Sequence, residues 1–106
     1  MQIFGKDIHF FLSVGARFSI SKLSDSLGNY LKTAGAMAIM SEAYEERKRL
    51  EDPEYKPNPV TIDEIQALTD DEFRQLCEEF DAAFEAGNKR TVEAEEDKKK
   101  ETGASS

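Results

Sequence analysis

The sequence predicts a mainly α-helical domain with a small N-terminal β-hairpin, an α+β fold, followed by a charged tail. Three observations support this prediction. Alternating apolar residues occur near the N-terminus, apolar residues at helical spacing recur from residue 27 to residue 84, and few apolar residues follow residue 88. We therefore expect one domain at residues 1–88 and a disordered tail at residues 89–106, which lacks the apolar surface that folding requires.

Residues 2–4 and 8–14 are rich in β-branched and aromatic side chains, which favour strands. Residues 5–7 lie between them and form a three-residue connection of the kind that closes a hairpin. Every second residue from Ile8 to Val14 is apolar, so these side chains should share one face of the second strand. Because a lone hairpin is only marginally stable in water, we expect helices to cover this face.

A short helix is predicted over residues 16–23, and a longer central helix should run from Asp25 or Ser26 to about Leu50. The residues of the central helix that share helical spacing and should face the core are Leu27, Leu31, Ala34, Met37 or Ala38, and Tyr44. Three prolines then prevent the helix from continuing, so residues 52–60 are predicted to form an extended connector.

Two capping boxes, Thr61–Glu64 and Thr69–Glu72, indicate the starts of two further helices. The first should be short, over residues 62–68. Its expected inward-facing residues are Ile62, Ile65 and Leu68. The second carries one apolar stripe, formed by Phe73, Leu76, Cys77, Phe80 and Phe84. Gly87–Asn88 is a typical helix stop and should end it.

Charge and hydropathy exclude two classes of partner. The chain has 22 acidic and 14 basic residues, a net charge of −8, and no basic stripe, so we expect no binding to nucleic acid. The longest apolar run, Ile8 to Val14, is far shorter than the ~20 residues of a membrane span, so no membrane partner is expected. The single cysteine, Cys77, cannot form an internal disulfide and fits a reducing cytoplasm.

No chemistry of an active site is evident in the sequence. His9 is the only histidine, and neither a second histidine nor a suitable cysteine accompanies it as a metal site or nucleophilic relay requires. The glycines form no phosphate-binding fingerprint. We therefore expect no enzyme activity, no catalytic residue, no cofactor-binding residue and no metal ligand.

Two apolar surfaces are candidates for partner binding. One follows the small residues Ala34 to Ala36 in the central helix, and the other is the stripe of the last helix. The candidate partner-binding residues are Met37, Ile39, Met40, Phe73, Leu76, Phe80 and Phe84. Packing within the chain is the alternative interpretation for both sets, although methionines also suit surfaces that meet another protein.

The N-terminal half resembles the opening of the tail assembly chaperones of long-tailed, siphovirus-like bacteriophages or prophages. The segments that carry this resemblance are Phe4-Gly5-Lys6-Asp7-Ile8, Phe10 to Ala16, and Ile20 and Leu23 before Leu27-Gly28. The central helix, the proline-containing connector, the start at Thr61 and the acidic, lysine-containing tail are similar in order and length, so the resemblance covers nearly the whole chain.

The resemblance implies a protein of the host bacterial cytoplasm that binds the tape-measure protein, keeps it soluble, helps recruit tail-tube subunits and is absent from the mature virion. It also implies that a ribosomal frameshift yields a longer form, which would contact the tube subunits, so that this chain would be the short product. Lys98–Lys100 is either the slippage site or an ordinary run of lysines. Self-association is left open. The alternatives are a structural phage component, such as a head-tail joining or minor tail protein, and an acidic mimic of nucleic acid.

Overall fold

The computed structural model describes residues 1–24 and 26–104, and it describes side chains as far as Lys89. Its elements follow in the order β1 (Gln2–Ile3), β2 (Lys6–Asp7), α1 (Val14–Ser21), α2 (Asn29–Glu51), α3 (Ile62–Gln66) and α4 (Asp70–Ala104). The predicted fold class, mainly helical with a small N-terminal antiparallel hairpin, is confirmed.

The hairpin is shorter than predicted and turns at a different place. β1 and β2 are antiparallel, with Gln2 opposite Asp7 and Ile3 opposite Lys6. The turn is therefore the pair at positions 4 and 5, both with positive φ (50° and 78°), rather than the predicted residues 5–7. Two-residue turns with positive φ match the right-handed twist of the flanking strands, which explains why this pair closes the hairpin.

The predicted second strand over residues 8–14 is wrong, because β2 ends at Asp7. The segment instead lies against α2, where the amide of Phe11 donates to the carbonyl of Met40 (3.1 Å). The alternate apolar residues of this segment still point towards the core, since Ile8 and Leu12 are buried and Phe10 is partly buried. Val14 is the first residue of α1 and is 89% exposed.

Both N-terminal helices begin elsewhere than predicted. α1 starts at Val14 instead of residue 16, since the hydroxyl of Ser13 caps it by accepting from the amide of Ala16 (3.0 Å). α2 starts at Asn29 after Gly28, later than the predicted start at residue 25 or 26. Leu31 lies in the first turn of α2 and is 39% exposed, so its predicted place in the core is wrong.

The connector after α2 is free of helix up to Thr61, as predicted, and polar side chains of α2 hold it in place. Ser41 accepts from the amide of Val60 (2.9 Å), and the buried carboxylate of Glu45 accepts from the amide of Asn58 (3.3 Å) and from the Tyr55 hydroxyl. The hydrogen bond to Glu45 and burial together raise the pKa of Tyr55 to about 12.

Both predicted capping boxes are confirmed. In the first, the amide of Thr61 donates to Glu64 (2.9 Å) and the amide of Glu64 donates to the Thr61 hydroxyl (3.2 Å). The same reciprocal pair joins Thr69 and Glu72 at 3.0 and 3.2 Å. α3 is a shorter helix than predicted, and Ile62 is 41% exposed rather than inward.

The predicted helix stop at Gly87–Asn88 is wrong, because α4 continues through both residues to Ala104. The glycine has a packing role instead. A Cβ atom at Gly87 would lie 2.6 Å from Cβ of Leu12, closer than side chains approach one another. The side chains of residues 90–104 and all of residues 105 and 106 lie outside the described part, and the disorder expected for residues 89–106 stays a prediction.

The core consists of two adjacent apolar clusters. The buried members of the first are Ile3, Ile8, Ala34, Met37, Val60, Ile65 and Leu76. The buried members of the second are Leu12, Ala16 and Met40. The partly buried rings of Phe10 and Phe80 pack against both clusters, with their centroids 5.7 Å apart in an edge-to-face arrangement. These two rings therefore join the hairpin end of the molecule to the α1 end.

Candidate binding groove

An open apolar groove of about 360 Å³ lies where α1, α2 and α4 meet. Its lining residues are Ile20 on α1 and Leu23 just after it, Lys32, Thr33 and Ala36 on α2, and Phe80, Asp81 and Phe84 on α4. Aliphatic side chains thus form the α1 wall and aromatic rings the α4 wall. Such a concave, mainly apolar surface is typical of a site that takes apolar side chains from a ligand or partner.

Small residues on α2 allow the groove to form. Ala36 has a short side chain that leaves space at the groove, and Gly35 beside it is buried. A Cβ atom at Gly35 would meet the δ-carbons of Leu23 at 3.4 and 3.5 Å, which is ordinary van der Waals contact. A Cβ atom would therefore fit at Gly35, unlike at Gly87.

A pair of hydrogen bonds ties α1 to α4 beside the groove. The guanidinium of Arg17 donates to the side-chain oxygen of Asn88 (2.9 Å) and to the carbonyl oxygen of Gly87 (3.3 Å). Because α1 also packs on α2, it contacts both of the other helices that line the groove.

The aromatic wall is formed by two phenylalanines one helical turn apart. Phe80 and Phe84 stack with their ring centroids 5.9 Å apart, and both are only partly buried. On a helix, residues four apart lie on the same face at about 5–6 Å. The wall therefore presents two adjacent apolar contacts at the spacing of a helical turn.

The rim of the groove along α4 is acidic. Glu78, Asp81 and Glu85 are all exposed, and their spacing of three and four residues places them on one face of α4. Asp81 itself lines the groove.

Cys77 lies one turn before Asp81 on α4. Burial chiefly, and the charge of Asp81 in addition, raise the pKa of the Cys77 thiol. The thiol is thus held in its neutral, less reactive form.

The predicted partner-binding residues fall into three groups. Phe80 and Phe84 line the groove. Met37, Met40 and Leu76 are fully buried, so the interpretation of these three as accessible surface is wrong. The two methionines lie in different clusters, Met37 in the first and Met40 in the second.

Phe73 and Ile39 lie at other places on the surface. Phe73 is partly buried, and its ring centroid lies 5.2 Å from that of Tyr30. Ile39 is partly buried against the second cluster and lines a separate shallow depression beside α1. Sequence reasoning missed Ile20, Leu23 and Ala36 as groove residues, although the apolar residues at the end of the predicted short helix were the available signal.

His9 lies at a polar depression of about 380 Å³ next to the C-terminal half of α2. Its imidazole packs on the Tyr44 ring at 4.8 Å between centroids, and its Nε2 lies 3.0 Å from a carboxylate oxygen of Asp7. Among the described residues, no three histidine, cysteine or acidic side chains are grouped so that they could hold a metal ion.

Helices long and apolar enough to span a bilayer are absent from the described part of the chain. Comparison with known protein families, curated proteins and solved structures found no match to this chain.

Proposed function

We propose that this protein is an assembly chaperone of a long-tailed bacteriophage or prophage, and that it binds apolar helices of the tape-measure protein in the groove between α1, α2 and α4. The observation that carries this proposal is the open groove with its aliphatic wall and its aromatic wall at Phe80 and Phe84. The order of sequence features that resembles tail assembly chaperones supports the same role.

The physical basis of such a chaperone is burial of apolar surface that would otherwise cause aggregation. A long helix with an exposed apolar stripe associates with copies of itself unless that stripe is covered. The groove offers matching apolar walls, and the net charge of −8 favours dispersal of the complex. Protein binding by this surface needs no cofactor and no catalytic group.

The proposal includes further expectations that follow the resemblance. The protein acts in the host bacterial cytoplasm, leaves before the tail is complete, and contacts tail-tube subunits through a longer frameshift product. Mass spectrometry of products of the native gene, before and after synonymous recoding of Lys98–Lys100, tests the frameshift. A longer product that is lost on recoding supports slippage at the three lysines.

Co-expression with the tape-measure protein encoded by the same phage genome tests the chaperone role. The wild-type chain should raise the soluble yield of that protein, whereas Thr33→Arg and Phe84→Arg should lower it by filling the groove or charging its wall. Phe18→Arg is the matched control, because Phe18 is 62% exposed on α1 and does not line the groove. Circular dichroism of each variant separates loss of binding from loss of folding.

Two results would overturn the chaperone role. One is a soluble yield that the wild-type chain does not change. The other is recovery of this chain in stoichiometric amounts from purified mature tails, which would favour the structural alternative, a head-tail joining or minor tail protein. Equal effects of Thr33→Arg and Phe18→Arg, with both variants folded, would place the binding surface outside the groove.

A further inference from the structure

We propose that the groove selects an amphipathic α-helix whose apolar stripe is bordered by Lys or Arg on the side that lies against α4. This inference rests on the proposed function and specifies the chemistry of the partner segment that the groove accepts.

The shape of the groove favours a helix over an extended segment. Phe80 and Phe84 project from one face of α4 one turn apart, and Ile20 and Leu23 face them from the α1 side. A partner helix presents apolar side chains at the same one-turn spacing, so two successive side chains can contact both rings. The small side chain of Ala36 leaves room for them between the walls.

The charge of the rim determines which sign of charge the partner helix should carry beside its apolar stripe. Asp81 lines the groove, and Glu78 and Glu85 lie three and four residues away on the same exposed face. The nearest basic residues on that face are Arg74, whose guanidinium lies 3.6 Å from Asp71, and Lys89, one turn beyond Glu85. Lys32 also lines the groove, but it lies on α2, so the α4 side of the groove is acidic at Asp81. A basic flank complements it, whereas an acidic flank meets like charge.

Two synthetic helical peptides with the same leucine stripe test this inference, one flanked by lysines and the other by glutamates. Fluorescence anisotropy with the full chain should show roughly tenfold tighter binding of the lysine-flanked peptide at low salt, with a smaller ratio at high salt. Thr33→Arg should weaken binding of both peptides, because it obstructs the groove that receives the leucines.

A matched pair of charge reversals separates the rim from the overall charge of the protein. Asp81→Lys and Glu54→Lys change the net charge equally, but Glu54 lies in the connector that packs on the C-terminal half of α2, away from the groove. Asp81→Lys should reduce the preference for the lysine-flanked peptide about fivefold or more, and Glu54→Lys should change it less than about twofold.

Each remaining outcome overturns the inference. Equal affinities for the two peptides, equal effects of the two reversals, or no binding of either peptide would show that the groove does not select a basic-flanked helix. A concentration-dependent dimer that Thr33→Arg abolishes would show that a second copy of this chain is the occupant. If the wild-type chain still raises the soluble yield of the tape-measure protein, any of these results leaves the chaperone role standing, whereas a dimer formed through the groove would place the surface that binds the tape-measure protein elsewhere.

Discussion

Gly87 lies within α4, where glycine lowers helix stability by about 1 kcal/mol relative to alanine. Gly87→Ala should nevertheless destabilise the protein, because the added Cβ would lie 2.6 Å from Cβ and 2.7 Å from Cδ2 of Leu12. Overpacking of this kind costs about 1–3 kcal/mol, so urea unfolding should show a net loss of up to about 2 kcal/mol.

Gly35→Ala is the matched control for this prediction. Gly35 is also a buried helical glycine, but its added Cβ would meet Leu23 at an ordinary 3.4 Å, so the substitution should stabilise by up to about 1 kcal/mol. Leu12→Ala removes Cγ and Cδ2 but keeps the Cβ atom 2.6 Å away, so it should relieve the overlap at Gly87 only in part. The double variant should still be somewhat more stable than the sum of the single changes predicts. The same sign for both glycine substitutions would contradict the packing argument.

Tyr55 links the connector to α2. Because of this link, the stability of the protein should decrease at alkaline pH. Its folded pKa of about 12 lies above the ordinary value of 10, so the folded chain holds the phenolic proton more tightly than the unfolded chain does. This contribution is complete below pH 10 and is lost as the pH rises towards 12. The free energy of unfolding should therefore fall less over that interval in Tyr55→Phe than in wild type. An equal fall in both proteins would show that the hydrogen bond to Glu45 has no such effect.

At the scale of elements, two capping boxes of the same design differ in one interaction. Glu64 and Glu72 cap their helices in the same way, but Glu64 also accepts from the Lys6 ammonium of the hairpin (2.8 Å). Glutamine keeps the capping geometry and removes the charge. Glu64→Gln should therefore cost more stability at pH 7 than Glu72→Gln, by about 0.5–1 kcal/mol for a partly exposed ion pair.

The same ion pair predicts a response to acid. The hydrogen bond from Lys6 is the largest cause that lowers the pKa of Glu64 below its ordinary 4.5, so its contribution is complete above pH 4.5 and is lost as the pH falls through the folded pKa. The stability difference between wild type and Glu64→Gln should shrink over this range in a series of urea titrations. A difference that stays constant into acid would place the effect elsewhere than in the carboxylate charge.

The elements that were predictable from sequence are those with local causes. The capping boxes, the prolines of the connector and the stripe of α4 each act within a few residues, and each occurs in the structure. Element ends were less predictable, because they depend on distant contacts. Gly87 has the local signature of a helix stop, yet α4 continues through it with Leu12 packed against it.

At the scale of the whole molecule, one wall of the candidate groove could be predicted. Phe80 and Phe84 follow from the periodicity of their own helix, whereas Ile20 and Leu23 become groove residues only through the contacts of α1 with α2 and α4. The methionines of α2 illustrate the same limit. Helical spacing cannot distinguish one apolar face from two, and the structure buries Met37 and Met40 in two separate clusters.

Phe80 joins those clusters, so the stability of the whole domain should depend on it. Its ring packs against both clusters and contacts Phe10 and Phe84 at centroid distances of 5.7 and 5.9 Å. Phe80→Ala should cost about 3 kcal/mol in urea unfolding, at the lower end of the range for phenylalanine truncations because the ring is partly exposed. Phe18→Ala is the matched control. It removes the same atoms from a ring that is 62% exposed and should cost less than about 0.5 kcal/mol. A loss below about 1 kcal/mol for Phe80→Ala would mean that the two clusters are stable without the ring between them, so that the aromatic wall of the groove contributes little to the core.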